Sequence, residues 1–137
     1  MPPNELFLSY SGLDRTFANS VIGALHHHAI PLWDSETNLV GGQHWHDEVG
    51  EAMQRCDWFA VILSPHALAS MWVKRELMFA LDEPRLENKI LPLLYQSCNL
   101  RRLSWTLSSV QMVDFTGDFH VGCRELLRIW GIDYSQH

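Results

Sequence analysis

Apolar and polar positions along the chain follow two periods in alternation. The run Leu6 to Ser9 is short and apolar and predicts a first strand, ending in the loop Tyr10-Ser11-Gly12-Leu13, after which Asp14 is placed to cap a helix. Phe17, Val21 and Leu25 stand four apart, which gives one apolar stripe on a helix that runs out near His26-His27-His28, before Pro31. Ile30 to Trp33 predicts a second strand, and Asp34 to His44, with Asn38 and Gly41-Gly42, a long loop. Trp45, Val49, Ala52 and Met53 form the next helical stripe. Trp58 to Leu63 is apolar throughout, the pattern of a central strand covered on both faces. Beyond Ser64-Pro65 the period predicts one helix from about His66 to Asp82, stopped by Glu83-Pro84. Lys89 to Tyr95 and Val110 to Phe115 predict the fourth and fifth strands, and Val121 to Trp130 the last helix.

Strands separated by helices, with no repeat or linker between them, are the pattern of one α/β domain over 1–137, its ordered core about 5–133. Five such strands make a doubly wound parallel sheet flanked by helices, in which ligands bind outside the carboxyl ends of the strands at the switch point. The loops after Ser9, Trp33 and Leu63 are therefore the ones where function is expected. Pattern alone describes a receiver domain, a flavodoxin or a small nucleoside-processing enzyme equally well.

Composition narrows this. A length of 137 residues, 47% hydrophobic and 19% charged, suits a single packed core. The net charge of −6 argues against a phosphate-neutralising surface, so nucleic acid is not an expected partner. No apolar run approaches the roughly 20 residues of a membrane span, and MPPNELFLSY lacks the layout of an export signal, so a cytoplasmic protein without a membrane partner is expected. Three widely spaced cysteines, Cys56, Cys98 and Cys123, offer neither a disulfide framework nor paired metal ligands, which fits a reducing compartment.

The chain has no GxGxxG, no GxxxxGK[ST], no GxSxG and no HExxH, which removes the familiar dinucleotide and phosphate loops, the serine hydrolase elbow and the zinc protease helix. The informative stretch begins at Leu63-Ser64-Pro65 and continues Ser70-x-Trp72-x-x-x-Glu76-Leu77. It resembles the third-helix region of the TIR (Toll/interleukin-1 receptor) domain. Phe7-Leu8-Ser9-Tyr10-Ser11 with Asp14 resembles that family's first box. Trp33-Asp34-Ser35-Glu36, through Leu39-Val40-Gly41-Gly42 to Trp45, resembles its BB loop. The three blocks stand in the right order and span nearly the whole chain.

This resemblance implies a flavodoxin-like α/β fold of five parallel strands, used in some members for homotypic assembly and in others for hydrolysing or cyclising NAD. The catalytic glutamate of the enzymatic members matches Glu76. By the same resemblance Tyr10 and Ser11 lie against the substrate from the first loop, Asp34, Glu36 and Leu39 reach it from the BB loop, and Trp72 stacks on a flat ring. Ser11-Gly12 stand where enzymatic relatives often carry basic residues, which leaves the diphosphate contact unassigned; Arg15 is a weak substitute. The implied reaction needs no metal and no separate cofactor, since NAD is the substrate. Nicotinamide leaves as a neutral base, the ribose passes through an oxocarbenium-like state, and water or the adenine of the same molecule attacks the anomeric carbon.

The residues themselves are less selective. At three and four positions from Glu76 stand Trp72, Val73, Phe79 and Ala80, all apolar, so the carboxyl group is expected beside a covered surface, as a functional acid often is. Lys74 and Arg75 have similar neighbours, and an ordinary salt-bridged or solvated glutamate is the competing reading. His26-His27-His28 is expected to solvate a helix end and complement its dipole rather than hold a metal. His44 and His46 are expected to be solvated. Trp58 and Trp130 are expected in the core, with Trp33, Trp45 and Trp105 near segments that assemble in TIR domains.

The expected activity is NAD glycohydrolase or cyclase, of the bacterial NAD-cleaving kind, in immune or anti-phage signalling. The expected partners are further copies through TIR–TIR contacts, with an effector protein or a fused sensor domain as others. The first alternative is a non-catalytic interaction module that scaffolds partners. A nucleoside deoxyribosyltransferase is the second. A receiver domain needs paired acidic residues after the first strand, and Ser9-Tyr10-Ser11 supplies none.

Overall fold

The structure is a computed structural model that describes residues 1–34 and 45–136, apart from the side chains at 45, 46, 108 and 109. Its strands are β1 (Leu6–Ser9), β2 (Leu32–Trp33), β3 (Trp58–Leu63), β4 (Ile90–Leu94) and β5 (Val113–Asp114), and its α-helices are α1 (Arg15–His27), α2 (Trp45–Arg55), α3 (Pro65–Ala69), α4 (Met71–Asp82) and α5 (Phe119–Arg128). All strand pairs are parallel, in the order β2-β1-β3-β4-β5. This is the expected doubly wound α/β sheet, and its switch point lies between β1 and β3, where Ser9 stands beside Val61.

Strand alternation sorts the core into two layers. Leu6 and Leu8 of β1 and Ala60 and Ile62 of β3 pack with Val21 and Leu25 of α1 and Leu126 and Leu127 of α5. Phe7, Phe59, Val61 and Leu63 point the other way, onto Ala52 and Met53 of α2 and Val73, Leu77 and Ala80 of α4. β3 is buried on both faces, as its unbroken apolar run predicts. Each fully buried Leu or Phe contributes about 1.5–3 kcal/mol relative to exposure. At Gly122 of α5 a Cβ would overlap the Phe115 ring that follows β5, so only glycine fits there.

Four expectations are corrected. The helix from His66 to Asp82 is two helices, because Ser70 is extended (φ −91°, ψ 112°) and its side chain accepts from the Val73 N–H, giving α4 its own N-terminus. Asp14 does not cap α1 with its side chain; the turn before it, Gly12–Asp14, is a 3-10 helix whose cap is Ser11, which accepts from the Leu13 N–H at 3.2 Å. The outer strands are shorter than their predicted runs, β2 being confined to Leu32–Trp33 and β5 to Val113–Asp114, and the last helix runs from Phe119 to Arg128, ending ahead of Trp130.

Trp130 is buried and meets the Trp58 ring edge-to-face at 5.7 Å. Trp33 is also core, 5.1 Å from the Phe7 ring. Trp105 is 78% exposed, with the Arg101 guanidinium over its ring. His28 closes α1 as its position suggests: Nδ1 meets the Ala24 carbonyl at 2.7 Å and Nε2 accepts from the Ser135 N–H at 2.9 Å. Among the described residues no group of three His, Cys, Asp or Glu side chains is arranged to hold a metal, and no helix is long and apolar enough to cross a membrane.

Candidate functional site

The buried polar side chains Ser9, Ser11, Asp14, Asp34, Ser64 and Glu76 lie near the carboxyl ends of β1, β2 and β3. Burying a polar group is costly unless it is hydrogen-bonded, and the pairings here explain how these are kept. Alternation places Ser9 on the same face of β1 as Phe7, the face covered by α4. There its hydroxyl donates to Glu76 Oε1 at 2.6 Å. Glu76 is 3% exposed, held on the inner side of α4 with Val73, Leu77 and Ala80. Its neighbours Lys74 and Arg75 are half-buried and exposed, so the structure singles out the one residue of the three that helical spacing left open.

On the opposite face, Ser64 continues the alternation of Ile62 and points toward the start of α1. Its hydroxyl donates to Asp14 Oδ2, and its oxygen accepts from the Ala67 N–H as the cap of α3. The second Asp14 oxygen meets His66 Nδ1 at 2.8 Å. One buried carboxyl group thus joins the turn after β1 to the turn after β3. Tyr10 packs in the core layer of α1, and its hydroxyl donates to Asp34 Oδ2 at 2.5 Å, where β2 ends.

The residues expected at the substrate are placed as follows. Glu76, Tyr10, Ser11 and Asp34 are all buried near the carboxyl ends of the strands, Tyr10 in the core layer of α1 and Glu76 on the inner side of α4. Within this group Ser11 serves as a helix cap, and Tyr10 and Asp34 are bonded to each other. Trp72 is half-buried on α4, one turn ahead of Glu76. Glu36 and Leu39, with the loop expected over 35–44, lie outside the described residues.

Sequence reasoning missed Ser9, Ser64 and His66. The first two carried a signal: each is the polar residue that closes an apolar strand run, and each stands two positions after a buried residue whose face it shares. His66 carried none, since its role depends on a contact with Asp14 across 52 residues.

Chemically, three buried carboxyl groups lie around the ends of neighbouring strands, each with a hydroxyl or imidazole partner. Oriented carboxylates in a site closed to bulk water stabilise positive charge that develops on a bound molecule, at little cost in reorganisation.

Comparison with known proteins bears on the family and the fold. The family model described as TIR domain matches residues 6–127. The TIR domain of the Toll-related receptor TRR-2 from Hydra magnipapillata superposes with a TM-score of 0.75 at 19% identity, covering 90% of this chain and 95% of that one. The TIR domains of the activated Roq1 resistosome, which recognises the pathogen effector XopQ, give 0.76 at 18% identity over 92% and 98%. A metazoan TIR-STING receptor from C. gigas gives 0.77 at 20% identity, covering 93% of this chain but 39% of the receptor. At these identities the likeness establishes the fold. No protein of curated function matches.

Proposed function

The chain belongs to the TIR domain family, and from that premise we propose that it cleaves NAD at the nicotinamide glycosidic bond, releasing nicotinamide and either ADP-ribose or a cyclic ADP-ribose isomer. The observation that carries this reading is the buried Glu76 carboxyl group, fixed by the Ser9 hydroxyl at the switch point of the sheet. In the reaction Glu76 holds the ribose hydroxyls and stabilises the positive charge that grows on the ring as the bond to nicotinamide breaks. The bond's electron pair leaves with nicotinamide, and water or the adenine of the same molecule closes the vacant position. Trp72, one turn away on α4, offers a flat surface to the nicotinamide. Tyr10, Ser11 and Asp34, together with Glu36 and Leu39, complete the binding side in this reading, and no metal or cofactor takes part.

The same reading places the protein among bacterial-type NAD-cleaving TIR domains in immune or anti-phage signalling, in the cytoplasm, acting on its own copies and on an effector or fused sensor domain. Exposed Leu13, Met71, Met78, Phe79 and Trp105 are suited to such contacts. They also favour the second reading, a non-catalytic scaffold, which has no use for Glu76. Separating the products formed from NAD by concentrated wild-type protein and by folded Glu76→Ala decides between the two. Nicotinamide release by wild type alone supports the enzyme, and none from either, even under crowding, leaves the scaffold.

A further inference from the structure

Apart from Tyr10–Asp34, the polar contacts at the strand ends fall into two groups on opposite faces of the sheet. Ser9 and Glu76 lie on the α4 side, and Ser64, Asp14 and His66 on the α1 side, with only the adjoining ends of β1 and β3 between them. The Ser9–Glu76 pair accounts for the glycosidic end of a bound NAD. A dinucleotide is long, and its diphosphate lies beyond the nicotinamide ribose, so whatever holds the diphosphate stands on the same rim without touching Glu76. All three buried carboxyl groups at the strand ends, Asp14, Asp34 and Glu76, are of the wrong sign for it.

We propose that His66, held by Asp14, is the diphosphate contact of the site; this rests on the NAD reading above. Asp14 Oδ1 engages Nδ1, which orients the ring and directs its other nitrogen, Nε2, away from the carboxyl group. The His66 side chain is 46% exposed while that of Asp14 is 2% exposed, so the imidazole is the accessible end of an otherwise buried chain of contacts that runs through Asp14 to Ser64. A phosphate oxygen can accept from Nε2 only when that nitrogen bears a proton. With Nδ1 engaged by Asp14, Nε2 is the nitrogen left to donate to the diphosphate. The contact arises from α3 and the turn after β1 together, which explains how the site manages with Ser11-Gly12 in its first loop.

The experiment is steady-state kinetics with NAD, with ADP-ribose as competitive inhibitor, on wild type, His66→Ala and Glu76→Ala, each first shown to be folded by circular dichroism and thermal melting. His66→Ala is expected to raise both the KM for NAD and the inhibition constant of ADP-ribose about tenfold, the size expected for a lost hydrogen bond to a charged group, with kcat within about twofold of wild type. A fall in kcat at unchanged KM, or no change in either constant, overturns the assignment while leaving the NAD reading intact. Wild-type protein that releases no nicotinamide at any concentration overturns the NAD reading and the assignment with it. Should His66→Ala fail to fold, His66→Gln, which keeps a polar group of similar reach without the ring, is judged by the same constants.

Discussion

The Ser9 hydroxyl donates to Glu76 Oε1 at 2.6 Å, joining the last residue of β1 to the buried side of α4 across 67 residues of chain. Neither partner is exposed by more than 3%. Ser9→Ala removes the donor and leaves a buried acceptor with one partner fewer, which costs about 1–3 kcal/mol. Chemical denaturation should register that loss. Nicotinamide release should fall more steeply than the loss of stability alone explains, because the carboxyl group is then free to turn from its working orientation.

A second test addresses the root of the segment that follows β2. Tyr10→Phe keeps the ring in the core but strips the hydroxyl from buried Asp34. A loss of about 1–3 kcal/mol is expected on unfolding, accompanied by reduced turnover in protein that is still folded. Phenylalanine at position 10 with unchanged stability would show that Asp34 finds another donor.

Much of the fold was legible because burial imposes a period. The continuous run Trp58–Leu63 required a strand covered on both faces, and the 3.6 period of α1 required one apolar stripe. The break at Ser70 was not legible, since an apolar helical period passes through a serine unchanged, and only the extended backbone there reveals a second helix start. Asp14 misled for a related reason. An aspartate before a helix suits a cap, but the Ser64 hydroxyl and the His66 ring, brought alongside by the β1–β3 pairing, take both of its oxygens. Glu76 was singled out by its motif. Its place beside a covered surface was legible from its apolar neighbours, and it is buried with Val73, Leu77 and Ala80 on the inner side of α4.

The helix start at Ser70 yields its own prediction. Ser70→Ala removes the side-chain acceptor for the Val73 N–H and should cost about 1 kcal/mol, the usual value of an N-cap. Thermal melting measures it. Ser70→Asp, which keeps an acceptor at the cap and adds charge favourable to a helix N-terminus, should restore stability.

The buried thiols set an alkaline limit. Burial pushes Cys56 up to about 12 and Cys123 up to about 11. In the unfolded chain a cysteine loses its proton near pH 8.5. Between that value and about pH 12 the native state binds more protons than the unfolded state, so stability falls as pH rises. Below about pH 8 both states keep the thiol proton and the contribution is flat. Denaturation at pH 8 and at pH 10.5 should show a steeper loss in wild type than in Cys56→Ala, by up to about 1.4 kcal/mol per pH unit. Equal slopes would mean that the Cys56 thiol ionises as readily in the native state as in the unfolded one.

The central claim, that the Glu76 carboxylate performs the cleavage, is tested most directly by Glu76→Gln. The amide oxygen can still accept from Ser9 and the side chain keeps its size, so the fold and the packing of α4 should survive, while the negative charge is lost. Nicotinamide release from NAD by concentrated protein should then drop at least about 100-fold, the scale seen when one electrostatic stabiliser is removed, with the melting temperature close to wild type. A glutamine variant that releases nicotinamide at the wild-type rate would contradict the account.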